Sequence, residues 1–333
     1  MQYHSTRSKK CAVNSAQAVL NGLAADGGLY VPDGLPQLDV AACLQEAPMA
    51  MAERIIGAML PDIPNMDKLV EKAYRGKFTA PDLTPTVAAG EFTVLELFHG
   101  PTSAFKDVAL CMLPQLMTAA KTLKGMQENI LILTATSGDT GKAALEGFKD
   151  VEGIKICVFY PHGGVSKVQR AQMATQEGSN VTVLAVEGNF DDAQTGVKNL
   201  FSSADFNARV NAKGKVLSSA NSINFGRLVP QVVYYFSAYA DLLKKGEITC
   251  GDPVNFVVPT GNFGNILAAY YARSMGLPVG KLICASNRNN VLSDFFATGT
   301  YDVRRQFFKT TSPSMDILIS SNLERLLFEV ADR

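Results

Sequence analysis

Lys106 is the residue whose type and setting first suggest chemistry. It is the penultimate residue of the run His99-Gly100-Pro101-Thr102-Ser103-Ala104-Phe105-Lys106-Asp107, just after an aromatic residue and where a helix is expected to begin. Partial desolvation and the positive end of a helix dipole both disfavour an ammonium. The amine is then freed to attack a carbonyl and form a Schiff base. A lysine taken blindly is a solvated helix residue, so the loops around it must carry the case. In Gly261-Asn262-Phe263-Gly264-Asn265 the glycines let the backbone approach an anion and aim N–H groups at it, with a helix N-terminus behind. Two glycines at that spacing are more often a plain strand-to-helix turn, and Phe263 stands where a dinucleotide-binding GxGxxG has its second glycine. Thr136-Ser137-Gly138-Asp139-Thr140-Gly141 gathers hydroxyls and backbone donors that suit a small carboxylate or phosphate, and equally helix capping by Ser137 or Asp139. It is not a P-loop, because Thr136 takes the first-glycine position and Ala143 the place of the magnesium ligand. Asn221-Ser222-Ile223-Asn224-Phe225-Gly226-Arg227 sets an arginine beside Asn and Ser donors, which fits a phosphate better than a surface ion pair.

These loops need a scaffold. From residue 91 onward, strand-like runs at 93–97, 130–135, 154–160, 181–186, 255–258 and 281–286 alternate with helical stretches at 105–123, 141–148, 165–175, 224–243 and 264–275. Such alternation predicts parallel β-α-β units with helices on both sheet faces, an α/β fold whose ligand sits at the carboxyl ends of the strands. The first ninety residues differ. They predict short helices at 15–23, 40–59 and 66–74 punctuated by Gly and Pro, hence a small, largely helical N-terminal domain (1–90) joined through a linker at 79–86 to an α/β region (91–333).

Bulk properties narrow the function. The 333 residues are 47% hydrophobic and 19% charged, with 31 basic and 31 acidic side chains and a formal net charge of zero. That is ordinary for a globular enzyme and gives no reason to expect nucleic acid or an anionic membrane as partner. Six scattered cysteines without a CxxC pair argue against a disulfide framework or a zinc site, and favour buried thiols in a reducing compartment. The N-terminus has no apolar signal-like run and no span is long enough for a membrane, so a cytoplasmic enzyme is expected.

The segment HGPTSAFKD resembles the cofactor-lysine motif of the threonine synthase family. Its companions stand in the same order: STR, then DGGLYVP, TSGDTG, NSINFGR and GNFGN. The resemblance covers essentially the whole chain and is closest to the branch with an extra N-terminal domain. It implies the fold type II architecture of pyridoxal 5′-phosphate (PLP) enzymes, like the tryptophan synthase β-subunit. By the same resemblance, Lys106 holds PLP covalently, and Gly261, Asn262, Phe263, Gly264 and Asn265 cradle its phosphate. Asp139 lies near its phenolic oxygen, where relatives commonly carry asparagine. Thr136, Ser137 and Thr140 would bind the substrate carboxylate, with Thr140 also near the leaving phosphate. Ser222, Asn224 and Arg227 would grip that phosphate.

The reaction so implied turns O-phospho-L-homoserine and water into L-threonine and phosphate. A phospho-lyase that releases a keto acid, and a PLP-binding protein without full activity, are the alternatives. Family members usually continue past the position of Arg333 with a segment that helps complete the cofactor domain and brings a hydroxyl near the pyridine nitrogen. No residue of this chain is assigned that role.

Overall fold

The computed structural model describes residues 1–136, 138–188 and 190–331. The chain opens with β1 (Gln2–Ser5) and β2 (Ser8–Asn14), followed by α1 (Ser15–Asn21) and β3 (Tyr30–Pro32). The three strands form an antiparallel sheet of order β2-β1-β3. The sequence reading holds no strand here, because the polar STRSKK run hides the alternation. What commits β1 is tertiary: Tyr3 is fully buried, donates to the Met59 carbonyl and meets Phe225 edge-on at 4.9 Å. The helix expected over 40–59 is two, α2 (Val40–Cys43) and α3 (Pro48–Met59). Pro48 has no N–H to offer the carbonyl four residues back and its ring crowds that turn, so a new helix starts on it. Next come α4 (Met66–Tyr74) and the antiparallel hairpin β4 (Thr86–Ala89) and β5 (Phe92–Leu95). The expected strand at 93–97 therefore belongs to this hairpin and not to the parallel sheet.

The α/β part runs α5 (Asp107–Leu123), β6 (Asn129–Ala135), α6 (Asp139–Phe148), β7 (Ile154–Pro161), α7 (Lys167–Ala174) and β8 (Val181–Val186). It continues through α8 (Phe190–Ser202), α9 (Ala204–Asn211), β9 (Lys215–Ser218), α10 (Phe225–Lys244), β10 (Val254–Pro259), α11 (Gly264–Ser274) and β11 (Val279–Ala285). The last helices are α12 (Val291–Thr298) and α13 (Leu323–Val330). Four parallel strands lie in the order β8-β7-β6-β9, and β10 pairs with β11, also in parallel. Parallel sheets flanked by helices are what the resemblance to fold type II enzymes implies. One continuous apolar core joins α1, α3 and α4 to α5, α10 and α11. Helix α10 is its axle: fifteen of its residues are buried, from Phe225 to Leu242. A helix apolar on every side demands neighbours all round, and that demand brings the N-terminal helices against the elements that carry the loops. No helix among the described residues is long and apolar enough to cross a membrane.

Candidate active site

The loop before Lys106 is folded by Asp107. Its carboxylate turns back to accept from the Thr102 N–H (2.8 Å), the Thr102 hydroxyl (2.5 Å) and the Ala104 N–H (3.3 Å). Gly100 makes room: a Cβ there would stand 2.4 Å from the Asp107 Cβ. Lys106 thereby takes the N-cap position of α5, where it is only 5% exposed. Its Nζ lies 4.6 Å from the centre of the Phe105 ring and 2.5 Å from Asp139 Oδ2. Burial pushes the Lys106 amine below its ordinary pKa, and the Asp139 carboxylate recovers only part of that drop. Burial pushes Asp139 up, yet the Lys106 charge, with hydrogen bonds from Lys106, Ser314 and Thr140, outweighs it and holds the carboxyl below its usual range. The pair sets an ionised carboxylate beside an amine of lowered basicity.

Asp139 starts α6, at the end of the 136–141 loop. The Thr136 hydroxyl oxygen, buried, accepts from the Gly138 N–H (2.9 Å) and the Gly141 N–H (2.8 Å), and Asp139 Oδ1 accepts from the Thr140 N–H (2.7 Å). Thr136 thus shares the capping that the sequence reading gives to Ser137 or Asp139. Ser137 itself lies outside the described residues. Thr136, Asp139 and Thr140 all line one cavity of about 880 Å³, as does Lys106.

The 261–265 loop joins β10 to α11 across the same cavity. Phe263 takes the left-handed conformation (φ 67°) at the N-cap of α11. The backbone N–H groups of Phe263, Asn265 and Ile266 find no acceptor among the described residues. Three such donors at the head of an eleven-residue helix make an anion cradle. The side chains brace it. Asn262 Nδ2 donates to Ser222 Oγ at 2.6 Å, and Asn262 Oδ1 accepts from the Gly264 N–H at 3.2 Å. The Tyr234 and Tyr235 hydroxyls both donate to Asn265 Oδ1, which leaves the amide nitrogen of Asn265 for the cavity.

The 221–227 segment divides. Ser222 lines the cavity; Asn224 and Arg227 are not among its described walls. Asn224 caps α10: its Oδ1 accepts from the Gly226 N–H (2.9 Å), while its Nδ2 donates to the carbonyls of Val19 and Ser219 (both 3.0 Å). Its side chain is fully committed to the protein. Arg227, 2% exposed, donates through Nη1 to the Ala220 carbonyl, and its buried Nε has no partner among the described residues. Burial pushes its guanidinium down to about 10, against the attraction of Asp139.

Four residues of the chain's last twenty support the site, and the sequence reading assigns them nothing. Ser314 Oγ donates to Asp139 Oδ2. Ser320 Oγ donates to the Gly261 carbonyl, and the Asn322 N–H to that of Asn262. Arg325, fully buried, donates to the carbonyls of Tyr30 (3.0 Å), Ser222 (3.1 Å) and Ile223 (2.7 Å), as well as to Asn322 Oδ1. The available signal was faint: an arginine among the leucines of the amphipathic run LERLLF.

A buried amine of lowered basicity, an adjoining carboxylate and a backbone anion cradle around one cavity fit a ligand that carries both a carbonyl carbon and a phosphate. Comparison with known proteins agrees. The family model for the threonine synthase N terminus matches residues 2–74, and that for pyridoxal-phosphate dependent enzymes matches residues 78–333. Human threonine synthase-like 1 is 45% identical over 96% of this chain, and the chain spans 44% of that relative's length. Threonine synthase of Pseudomonas aeruginosa is 43% identical over 100% of this chain and 70% of its own. Among solved structures, the PLP-bound threonine synthase of Brucella melitensis superposes with a TM-score of 0.89 at 43% identity, over 100% of this chain and 70% of that one. That of Escherichia coli gives 0.85 at 32% identity, over 100% and 75%. The chain belongs to the threonine synthase family of PLP-dependent enzymes.

Proposed function

We propose that the protein converts O-phospho-L-homoserine and water to L-threonine and phosphate, as a cytoplasmic enzyme of threonine biosynthesis. The observation that carries this reading is the 2.5 Å contact of Lys106 Nζ with Asp139 in the same cavity as the N–H cradle of α11. The residues suit the cofactor: Lys106 offers the amine, and the 261–265 loop offers unpaired donors for its phosphate. Bound PLP supplies an electron sink for charge that develops on the substrate carbons. Lys106 Nζ, its charge disfavoured by burial, takes the α-proton of the substrate and moves protons to and from Cβ. Asp139 receives the resulting ammonium and keeps it in place. Thr136 and Thr140, beside the N-terminus of α6, take the substrate carboxylate together with Ser137, and the helix dipole there favours a negative charge. Ser222 meets the leaving phosphate at the wall. Arg227 adds its positive charge from behind that wall, and Asn224 acts by holding the turn that presents Ser222. With both anions held, the reacting carbons are fixed beside Nζ.

The test is to load the protein with PLP, add O-phospho-L-homoserine, and assay threonine and phosphate together. Equal yields of the two support the reading. Phosphate with a keto acid makes the protein a phospho-lyase, and neither product overturns both. In parallel, borohydride reduction and peptide mapping should label Lys106, and Lys106→Ala should abolish label and turnover while the fold persists. A label on another lysine removes the assignment.

A further inference from the structure

We infer that Ser314 is a positioning residue for Lys106: it shares the Asp139 carboxylate with the lysine and so keeps the lysine's amine releasable. Ser314 Oγ and Lys106 Nζ both donate to Asp139 Oδ2, each at 2.5 Å. The two donors come from opposite ends of the α/β part, the serine lying 175 residues beyond the aspartate. Ser314 sits in a short 3-10 turn, Pro313–Met315, that forms part of the cavity wall. The turn is held on both sides. Asp316, buried, accepts from the Thr310 N–H (2.9 Å), the Thr310 hydroxyl (2.7 Å), Asn287 Nδ2 (2.7 Å) and Asn289 Nδ2 (3.2 Å). On the other side Gly261 lies so close that a Cβ there would stand 3.2 Å from Met315 Cα. The serine hydroxyl is therefore presented by a built support and does not dangle from a loose loop.

The consequence follows from the carboxylate's two oxygens. Oδ1 is anchored by the Thr140 N–H at 2.7 Å, so loss of Ser314 does not release Asp139. It removes one of two donors on Oδ2, and the carboxylate's charge then falls more fully on Lys106. The lysine should hold its proton to higher pH. The other charged groups that act on Lys106 are Arg227 from α10 and Asp107 from α5, and neither contacts Ser314 in the described structure.

The inference rests on the reading of Lys106 as the reactive amine, and its test needs neither cofactor nor substrate. Cofactor-free protein is labelled with fluorodinitrobenzene across the neutral-to-alkaline range, and the Lys106 peptide is followed by mass spectrometry. Ser314→Ala should move the labelling midpoint up by about half to one pH unit, which below the midpoint is roughly three- to tenfold slower labelling. Ser314→Thr, which keeps the hydroxyl, should restore the wild-type midpoint, and all three proteins should unfold at similar temperature. A Ser314→Ala midpoint that is unchanged or lower overturns the inference, and so does a threonine variant that shifts as far as alanine. If the proposed reaction fails its own assay, this titration still stands.

Discussion

Arg325 Nε donates to the backbone oxygen of Tyr30 at 3.0 Å, across 295 residues of chain. The same guanidinium reaches Ser222, Ile223 and Asn322, so one side chain ties the N-terminal sheet, the wall of the cavity and α13 together. Its charge has no carboxylate partner in this cluster; backbone carbonyls satisfy it, with the Phe225 ring at 5.6 Å.

Arg325→Ala should destabilise the fold by about 3 kcal/mol or more, because several buried carbonyls lose their donor together. Urea unfolding measures it. PLP affinity should fall in the same variant, since Ser222 and Asn322 both brace the 261–265 loop. Stability loss with unchanged PLP affinity would show that the clasp acts on the fold alone.

An Arg227 variant would separate substrate recognition from cofactor binding. Its buried Nε lacks a partner and its charge lies within reach of Asp139. Removing a desolvated cation from an anion's surroundings costs on the order of 2–5 kcal/mol. Arg227→Ala should therefore lose roughly 30-fold or more in kcat/KM for O-phospho-L-homoserine. Arg227→Lys should recover part of it, since an ammonium keeps the charge but not the planar fork. PLP binding, measured on the same preparations, should stay near wild type. Loss of PLP, or full activity, would make Arg227 a structural residue.

Asp241 gives a pH signature away from the site. Its Oδ2 accepts from the Thr86 N–H (2.9 Å), the Thr86 hydroxyl (2.6 Å) and Lys245 Nζ (2.9 Å), which fastens β4 to α10. Burial pushes its carboxyl up, but the Thr86 and Lys245 contacts prevail and hold it below the usual carboxylate range. A carboxylate whose folded pKa is depressed lends stability above its unfolded value and loses it as pH falls through the folded one. Asp241→Asn should thus cost about 1 kcal/mol at neutral pH. In acid, below the folded pKa, the two proteins should converge. Paired urea midpoints at the two pH values measure this, and a constant gap would show that the charge does not matter.

Much of the α/β part was legible from sequence because its signals are local. The run 181–186 is the strand as drawn, and the helices expected at 224–243 and 264–275 differ from α10 and α11 by a residue at each end where they differ at all. Lys106 and the glycine loops were legible because each sits where a strand or loop feeds a helix, a place marked by residue type. The misses share another cause. Strands β1 and β2 are rich in polar residues and β3 is only three residues long, so all three show themselves only through pairing, and α8 and α9 are rich in Asp, Asn and Ser, which dilute a helical pattern. The Asn224 side chain looked free for a phosphate because nothing in its neighbourhood reveals the Val19 carbonyl 205 residues away. Ser314 and Arg325 escaped for the same reason: their partners are distant in sequence, and no spacing rule encodes them.

The Arg325 clasp also bears on how the protein comes into being. A chain leaving the ribosome exposes Tyr30, then Lys106, then Ser222 and Ile223, before the arginine that ties Tyr30 to the last two. Contacts between residues so far apart in sequence form late and slowly. Before that arginine is made, the carbonyls of Tyr30, Ser222 and Ile223 lack this donor. The residues assigned to the chemistry are thus translated before the arginine that braces the wall around them.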